Sequence, residues 1–326
     1  MSTRSVGLDE AVTRLSVGAR RWMGLHAAYL DSPAAHAELP VTPRVKALLQ
    51  LAMLRRYWAK CAPADPSLAE VTGVVEQVWQ RPEFPRLLTL ESRHARQFEL
   101  MYAALAPAGA ATDAPRAVLT RLAAGSYLTP GRKPPFLHLE ARFYADLAGA
   151  PHRFASYEEL YEASPLPRAA TLPVADLDGC QVAHTLFYLS DFGLRDPRLP
   201  EEERGRALRV VERLTDHCVG LGDWDVTAKL LLAQYCLGAD PLRTPSGAAG
   251  LRMLAAAQAP DGAIPGRSAA ERASADTTPV EYFRKSYKVT LVVALMTLFV
   301  TGGRTDEPAL TAATATATAT AIRETL

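Results

Sequence analysis

The stretch DGCQVAHTLFYLSDFG, residues 178–193, holds the densest set of chemically able side chains. His184, Tyr188 and Asp191 fall at i, i+4 and i+7, so on a helix they share one face. Leu186, Phe187, Leu189 and Phe192 occupy the rest. A polar stripe on so apolar a helix must be paired internally or must face a cavity. Paired internally, it ties neighbouring helices together. Facing a cavity, it is a site wall with His184 as acid or base. Both readings stay open at this level.

A second stretch, GDWDVTAK, covers 222–229. Asp223 suits an N-cap, and Asp225 suits the first turn, where the helix dipole stabilises a carboxylate. That alone accounts for both acids. If this helix lines a cavity, Asp225 projects towards the same space as His184, as a desolvated general base. A third stretch is EYFRKSYKVTLVVALMTL, 281–298. Tyr287, Lys288 and Thr290 enter an apolar helix, and Arg284 and Lys285 precede it. A lysine at such an entry snorkels or pairs with an acid. The cluster also suits a carboxylate, phosphate or sulfate, and three cations in five residues equally make a solvated face.

Other chemistries lack their signatures. The chain has no glycine-rich phosphate loop, dinucleotide fingerprint, G-x-S-x-G elbow or H-E-x-x-H pair. Cys61, Cys180, Cys218 and Cys236 are scattered without a CxxC pair. His138 and Glu140 sit two apart, the wrong spacing for one helical face. The expectation is no metal and no cofactor.

The elements that must position these residues read as helices. Sustained period-2 alternation is absent, and the 3.6 period recurs. The pattern predicts helices over 8–31, 42–60, 67–80, 87–106, 114–125, 134–149, 156–163, 178–191, 200–220, 223–237, 246–258 and 279–300. Helix 200–220 is amphipathic, whereas 223–237 and 279–300 are apolar nearly all round, so they are expected to be buried on every side. Alternation of the two kinds predicts an all-α fold. Its expected architecture is an α/α barrel (toroid) of about six helical hairpins, with a helical-repeat solenoid as the alternative. Polar residues near the starts of the inner helices, His94, His138, His184, Asp225 and Lys288, are spaced 44, 46, 41 and 63 residues apart. The longest step contains PGRSAAERASADTTP, 265–279, a loop that suits a flap over a site. The turn QAPDGAIPG, 258–266, resembles the Q-x-x-D-G turn that closes outer helices in terpene-cyclase-like toroids. The Asp-rich sequences of those enzymes are missing, so the turn reads as architecture.

The proline-rich SPLPRAATLPVADLD, 164–178, is the expected connection between an N-terminal half, 1–163, and a motif-bearing C-terminal half, 179–303. The low-complexity tail, 304–326, is expected to be disordered. The 326 residues carry 36 Lys+Arg and 35 Asp+Glu, a net charge of +1 that argues against bulk nucleic-acid binding. Hydrophobic residues at 48% and charged residues at 22% suit a globular protein with a core. Arg4, Asp9, Glu10, Arg14, Arg20 and Arg21 interrupt any signal-peptide core. The apolar run VTLVVALMTLFV, 289–300, is too short to span a bilayer, which takes about 20 residues. The expected setting is the cytoplasm, with no membrane and no nucleic acid.

HTLFYLSDFG, GDWDVTAKLLL, QAPDGAIPG and YKVTLVVAL together resemble an all-helical actinobacterial family that accompanies natural-product gene clusters. The group includes an aziridine-forming biosynthetic component. The resemblance covers about 176–300, and the last motif has Lys288 where the family pattern is expected to carry histidine. It implies a ring closure in which a substrate amine attacks a neighbouring carbon and expels a sulfate. A partner sulfotransferase would install that sulfate, and a carrier protein would tether the substrate. Asp225 or His184, with Tyr188 and Asp191 beside them, would take the ammonium proton. Lys288, with Arg284 or Tyr287, would meet the sulfate. Phe187, Trp224 and Tyr282 would line an apolar cavity. The competing expectations are a non-catalytic helical scaffold that binds a partner enzyme or carrier protein, and a hydrolase or lyase.

Overall fold

A hydrophobic period of 3.6 with few strand formers leaves the chain one way to bury its apolar residues, helix on helix. The computed structural model describes residues 3–90, 93–108, 113–131, 133–266 and 279–302. Among them lie fifteen α-helices and no strand. They are α1 Thr3–Ala27, α2 Pro33–Glu38, α3 Val41–Cys61, α4 Ser67–Gln80, α5 Phe84–Leu87, α6 Ala95–Ala104, α7 Asp113–Ala124 and α8 Pro135–Leu147. There follow α9 Tyr157–Ala163, α10 Leu166–Ala169, α11 Gly179–Ser190, α12 Glu201–Leu221, α13 Trp224–Cys236, α14 Pro245–Ala257 and α15 Pro279–Gly302. The all-α class is therefore as the sequence predicts. The flap segment falls mostly on 267–278, and the low-complexity tail on 304–326. Both lie outside the described residues.

Six helices touch in a cycle that closes: α3, α6, α8, α11, α13, α15 and back to α3. The other long helices pack outside it. α1 lies against α15, α4 and α14, α12 against α13 and α14, α7 against α6, and α9 against α8. Members of the cycle alternate along the chain with outer helices, as the pairing of one-sided and all-round apolar helices requires. α13 buries every residue from Thr227 to Gln234, whereas α12 buries only a stripe: Ala207, Val210, Val211, Leu214, Thr215 and Cys218.

By length and composition alone, Val280–Gly302 would suffice to cross a membrane, but 72% of its apolar window is buried inside the protein. It packs against α1, α3 and α13, as a core helix does.

Two expectations change at their edges. The helix predicted over 87–106 shortens to α6. Upstream, the chain turns so that the rings of Trp79, Phe84 and Tyr102 pack with centroids 5.2–5.7 Å apart and Trp79 Nε1 donates to the Tyr102 carbonyl. Tertiary packing outweighs the local period there. The 164–178 segment contains α10 and a 3₁₀ turn, Val174–Asp176, and Arg213 of α12 donates to the carbonyls of Ala170 and Leu172. One hydrophobic core includes Leu166 and Ala169 within the segment and Tyr161 and Val182 on either side of it.

The turn after α14 is architecture in detail. Gln258 Nε2 donates to the carbonyls of Leu15 in α1 and Gly262. Gly262 has φ +97°, and a Cβ there would stand 2.3 Å from the Gly18 carbonyl oxygen. Gly262→Ala is expected to lower the unfolding free energy by about 3 kcal/mol, because strain and a backbone clash add. Urea denaturation measures it, and a midpoint equal to the parent's contradicts this account of the turn.

Candidate functional site

Asp178 caps α11, accepting from the Cys180 and Gln181 amides, and Asp223 caps α13, accepting from the Val226 amide. These starts pack closely, since a Cβ on Gly179 would meet Val226 Cγ1 at 2.8 Å. The caps fix the phase of both helices. Asp225 then stands in the first turn of α13, with Lys229 one turn on and on the same face.

Lys229 Nζ donates to Asp225 Oδ2 at 2.7 Å and lies 3.6 Å from Cys180 Sγ. Lys288 Nζ, from α15, donates to the same oxygen at 2.7 Å. The Lys229 side chain is 6% exposed and that of Lys288 58%. The other oxygen, Asp225 Oδ1, is buried with no hydrogen-bond partner among the described residues. Burial pushes the Asp225 carboxyl up, but the two lysines outweigh it and hold the group below its ordinary range. Burial pushes the Cys180 thiol up despite Lys229, so it is no activated nucleophile. Burial, then Lys229 and Lys288, lower His184 to about 4, against a partial opposing pull from Asp225. His184 is thus a neutral imidazole at pH 7.

His184 leads to a second polar group. Its ring lies 6.2 Å from that of Tyr188, whose hydroxyl donates to Glu140 Oε1 at 2.9 Å. Gln97 Nε2 donates to Glu140 Oε2 at 2.7 Å. Burial raises the Glu140 carboxyl above its ordinary range, against the two hydrogen bonds and the charges of Lys46 and His94. His184 and Glu140 are desolvated by protein around them, yet both retain accessible surface. Neither side chain is fully enclosed by the helices that desolvate it.

The far end of the cycle is closed. Tyr57, near the end of α3, donates to Asp191 Oδ1 at 2.7 Å, and Arg56 reaches Asp191 Oδ2 at 3.3 Å. α3 and α11 are three steps apart in the six-helix cycle, so this bond spans it. Phe192 lies 4.8 Å from Tyr57 and 5.0 Å from Phe187, and Phe299 joins Tyr57 and Tyr235 at 5.7 and 5.6 Å. The C-terminal ends of α3, α11, α13 and α15 therefore meet in an aromatic plug. The charged groups come from positions N-terminal to it.

Of the residues the sequence singles out, His184, Asp225 and Lys288 come together. Tyr188 turns to Glu140. Asp191 does not join them: it ends α11 in a left-handed turn, φ +47°, and is held by Tyr57 and Arg56 in the plug. Tyr287 is buried and donates to the Ala47 carbonyl at 2.8 Å, which removes it from anion binding. Tyr282 gives its hydroxyl to Asp261 at 3.1–3.2 Å. Phe187 is 4% exposed, packed between His184 and Phe192. Trp224 is half-buried, and Arg284 is exposed. Asp225 as general base also needs correction, because a carboxylate clamped by two lysines is a weak base. Sequence reasoning missed Lys229, although its i+4 spacing from Asp225 was a usable signal. It weighed Glu140 only with His138, at the wrong spacing for one helical face, and gave it no role, since its partners are 43 and 48 residues away.

Asp191→Ala is expected to cost about 2 kcal/mol of stability, from a lost charged acceptor and an alanine at positive φ, and to leave any activity of the site within about twofold. Thermal unfolding beside a turnover assay checks both. A large activity loss in folded protein returns Asp191 to the site.

No group of three or more His, Cys, Asp or Glu among the described residues is arranged to hold a metal ion. A family model described as "Domain of unknown function (DUF6895)" matches residues 16–298, from within α1 to within α15. The chain belongs to that family. The match takes in the helix cycle up to residue 298, with Glu140, His184, Asp225, Lys229 and Lys288 inside it. No curated protein and no solved structure matches the chain.

Proposed function

We propose that the helices form an α/α toroid of six hairpins around a hollow, and that the hollow is the active site of a cofactor-independent cyclase of natural-product biosynthesis. The reaction is an intramolecular substitution on a carrier-bound amino substrate. The amine nitrogen forms a bond to a neighbouring carbon, the carbon–oxygen bond to a sulfate breaks, and the sulfate leaves with the electron pair. The ammonium proton passes to a base in the hollow. A partner sulfotransferase supplies the sulfate ester, and the setting is cytoplasmic.

The observation that carries this reading is the Lys229–Asp225–Lys288 cluster. Two lysines share one oxygen of Asp225, so neither has a carboxylate to itself, beside a neutral His184. Such a site favours an anion whose charge develops in the transition state, and sulfate departure develops it. Lys288 is the exposed member and meets the leaving group. Lys229, buried beneath, fixes Asp225 and through it Lys288. The aromatic plug closes one end, limits water and so favours ring closure over hydrolysis. Holding amine and carbon in contact supplies much of the rate.

The test is to incubate the protein with a carrier-bound 2-aminoalkyl sulfate and follow free sulfate and product mass. Expected is sulfate release with a ring product lacking a new hydroxyl. Release no faster than without protein, or release giving the alcohol, contradicts the reading.

A further inference from the structure

The acids and bases of the hollow are not equally free. Asp225 spends Oδ2 on two lysines. His184 stands within the field of the same lysines, where a proton would add a third cation. Glu140 differs from both. Each of its oxygens accepts one hydrogen bond from a neutral donor, Tyr188 Oη on α11 and Gln97 Nε2 on α6. It makes no ion pair within salt-bridge distance among the described residues, and it keeps some accessible surface. A carboxylate in that setting is one positive charge short of compensation. Its remaining lone pairs suit a donor that is itself a cation.

We infer that Glu140 is the receptor for the substrate's amino group and the base that takes its proton. The inference rests on the ring-closure reading and names the residue that reading leaves open. The substrate enters as R–NH₃⁺ and pairs with the Glu140 carboxylate. The proton moves to Glu140, giving the neutral carboxylic acid and R–NH₂. The freed lone pair forms the nitrogen–carbon bond as the carbon–oxygen bond breaks, sulfate leaves towards Lys288, and the ring nitrogen, now an ammonium, gives its extra proton to water. Glu140 returns the proton to water after release. Tyr188 and Gln97 hold the carboxylate at the turn where this face of α8 meets the hollow.

The groups facing Glu140 are Lys46 on α3, His94 and Gln97 at α6, Tyr127 ahead of α8, Tyr144 on α8 itself and Tyr188 on α11. Lys46 and His94 favour its ionised form, whereas burial favours its neutral form and wins. The raised carboxyl is a stronger base than an exposed glutamate and releases its proton less readily back to the amine.

Turnover of the carrier-bound 2-aminoalkyl sulfate, measured across pH, decides the matter. In the wild type, kcat/KM is expected to rise through the ionisation of Glu140. Glu140→Gln is expected to lose that limb and to fall by about 10²–10⁴-fold near neutral pH. It should recover when the pH is high enough to free the amine without help. The wild type should also bind the amine in preference to its N-acetyl analogue, and Glu140→Gln should bind the two equally. Should Glu140→Gln fail to fold by circular dichroism, Glu140→Asp carries the test: a slower enzyme that keeps the acidic limb supports the inference, and a wild-type rate overturns it. A folded Glu140→Gln with an unchanged rate and profile overturns this assignment alone, provided Lys288→Ala is slow. If Lys288→Ala is equally unaffected, the reading of the hollow fails with it.

Discussion

Asp225→Ala is expected to lower the unfolding free energy by about 3–5 kcal/mol, because it strands Lys229 in the interior without its acid. The Lys229 side chain is 6% exposed, and among the described residues its one other hydrogen-bond partner is the thiol of Cys180 at 3.6 Å. Replacing the ion pair by well-packed apolar groups is a different matter and is often neutral. The double variant Asp225→Ala/Lys229→Met is therefore expected to recover most of the stability. It should recover none of the turnover, since Lys288 loses the oxygen that positions it. Chemical denaturation of the single and double variants, set beside sulfate release, separates the two roles. A single variant as stable as the wild type contradicts the buried ion cluster, and a double variant with restored turnover contradicts its catalytic part.

Acidification is expected to weaken the fold through His184. Its value falls from 6.5 to about 4 on folding, so above 6.5 the ring is neutral in both states and contributes nothing. Between 6.5 and about 4 the unfolded chain binds a proton that the folded protein refuses, and stability drains away over that window. The full loss is roughly 3 kcal/mol at 1.36 kcal/mol per pH unit, lessened where water reaches the ring. Asp225, held low, adds a loss of the same sign under more acidic conditions. Glu140, held high, works the other way: its folded form takes up a proton first, so it gains stability as the pH falls. The difference between wild type and His184→Gln isolates the histidine. Urea midpoints at pH 7.5 and 4.5 should converge for the variant relative to the wild type. Equal pH dependence in the two proteins would mean that His184 is not desolvated.

The sequence makes the helices legible because their periods are long and clean. The expectation over 67–80 coincides with α4, and those over 178–191 and 223–237 lie within two residues of α11 and α13. Caps explain this accuracy: Asp178 and Asp223 are local signals for local events. The five polar positions spaced along the chain all stand at or in cycle helices, His94 as the N-cap of α6 and the others within α8, α11, α13 and α15. Side-chain roles are less legible. Tyr188 and Asp191 share a helix face, yet three residues carry the second past the end of α11 into a left-handed turn. Nothing local predicts that turn, since Asp191 and Phe192 adopt it to reach Tyr57 on α3. Tyr287 beside Lys288 looks like an anion ligand until the Ala47 carbonyl of α3 is placed against it. Glu140 reads as an ordinary helical acid because its meaning comes from Gln97 and Tyr188, on other helices. Local order follows from local residues, and the chemistry of the hollow follows from the closure that joins distant ones.

The proposed chamber, with both acid centres inside the helix cycle, is tested most directly by a crystal structure with an unreacted substrate analogue. A carrier-bound amino alcohol sulfate with a non-reactive methylene in place of the ester oxygen serves as the ligand. The account predicts its sulfonate within hydrogen-bond reach of Lys288 Nζ and its ammonium against the Glu140 carboxylate, inside the six-helix cycle. An analogue bound outside the cycle, or a chamber filled by packed side chains with Lys288 and Glu140 facing separate surfaces, would contradict it.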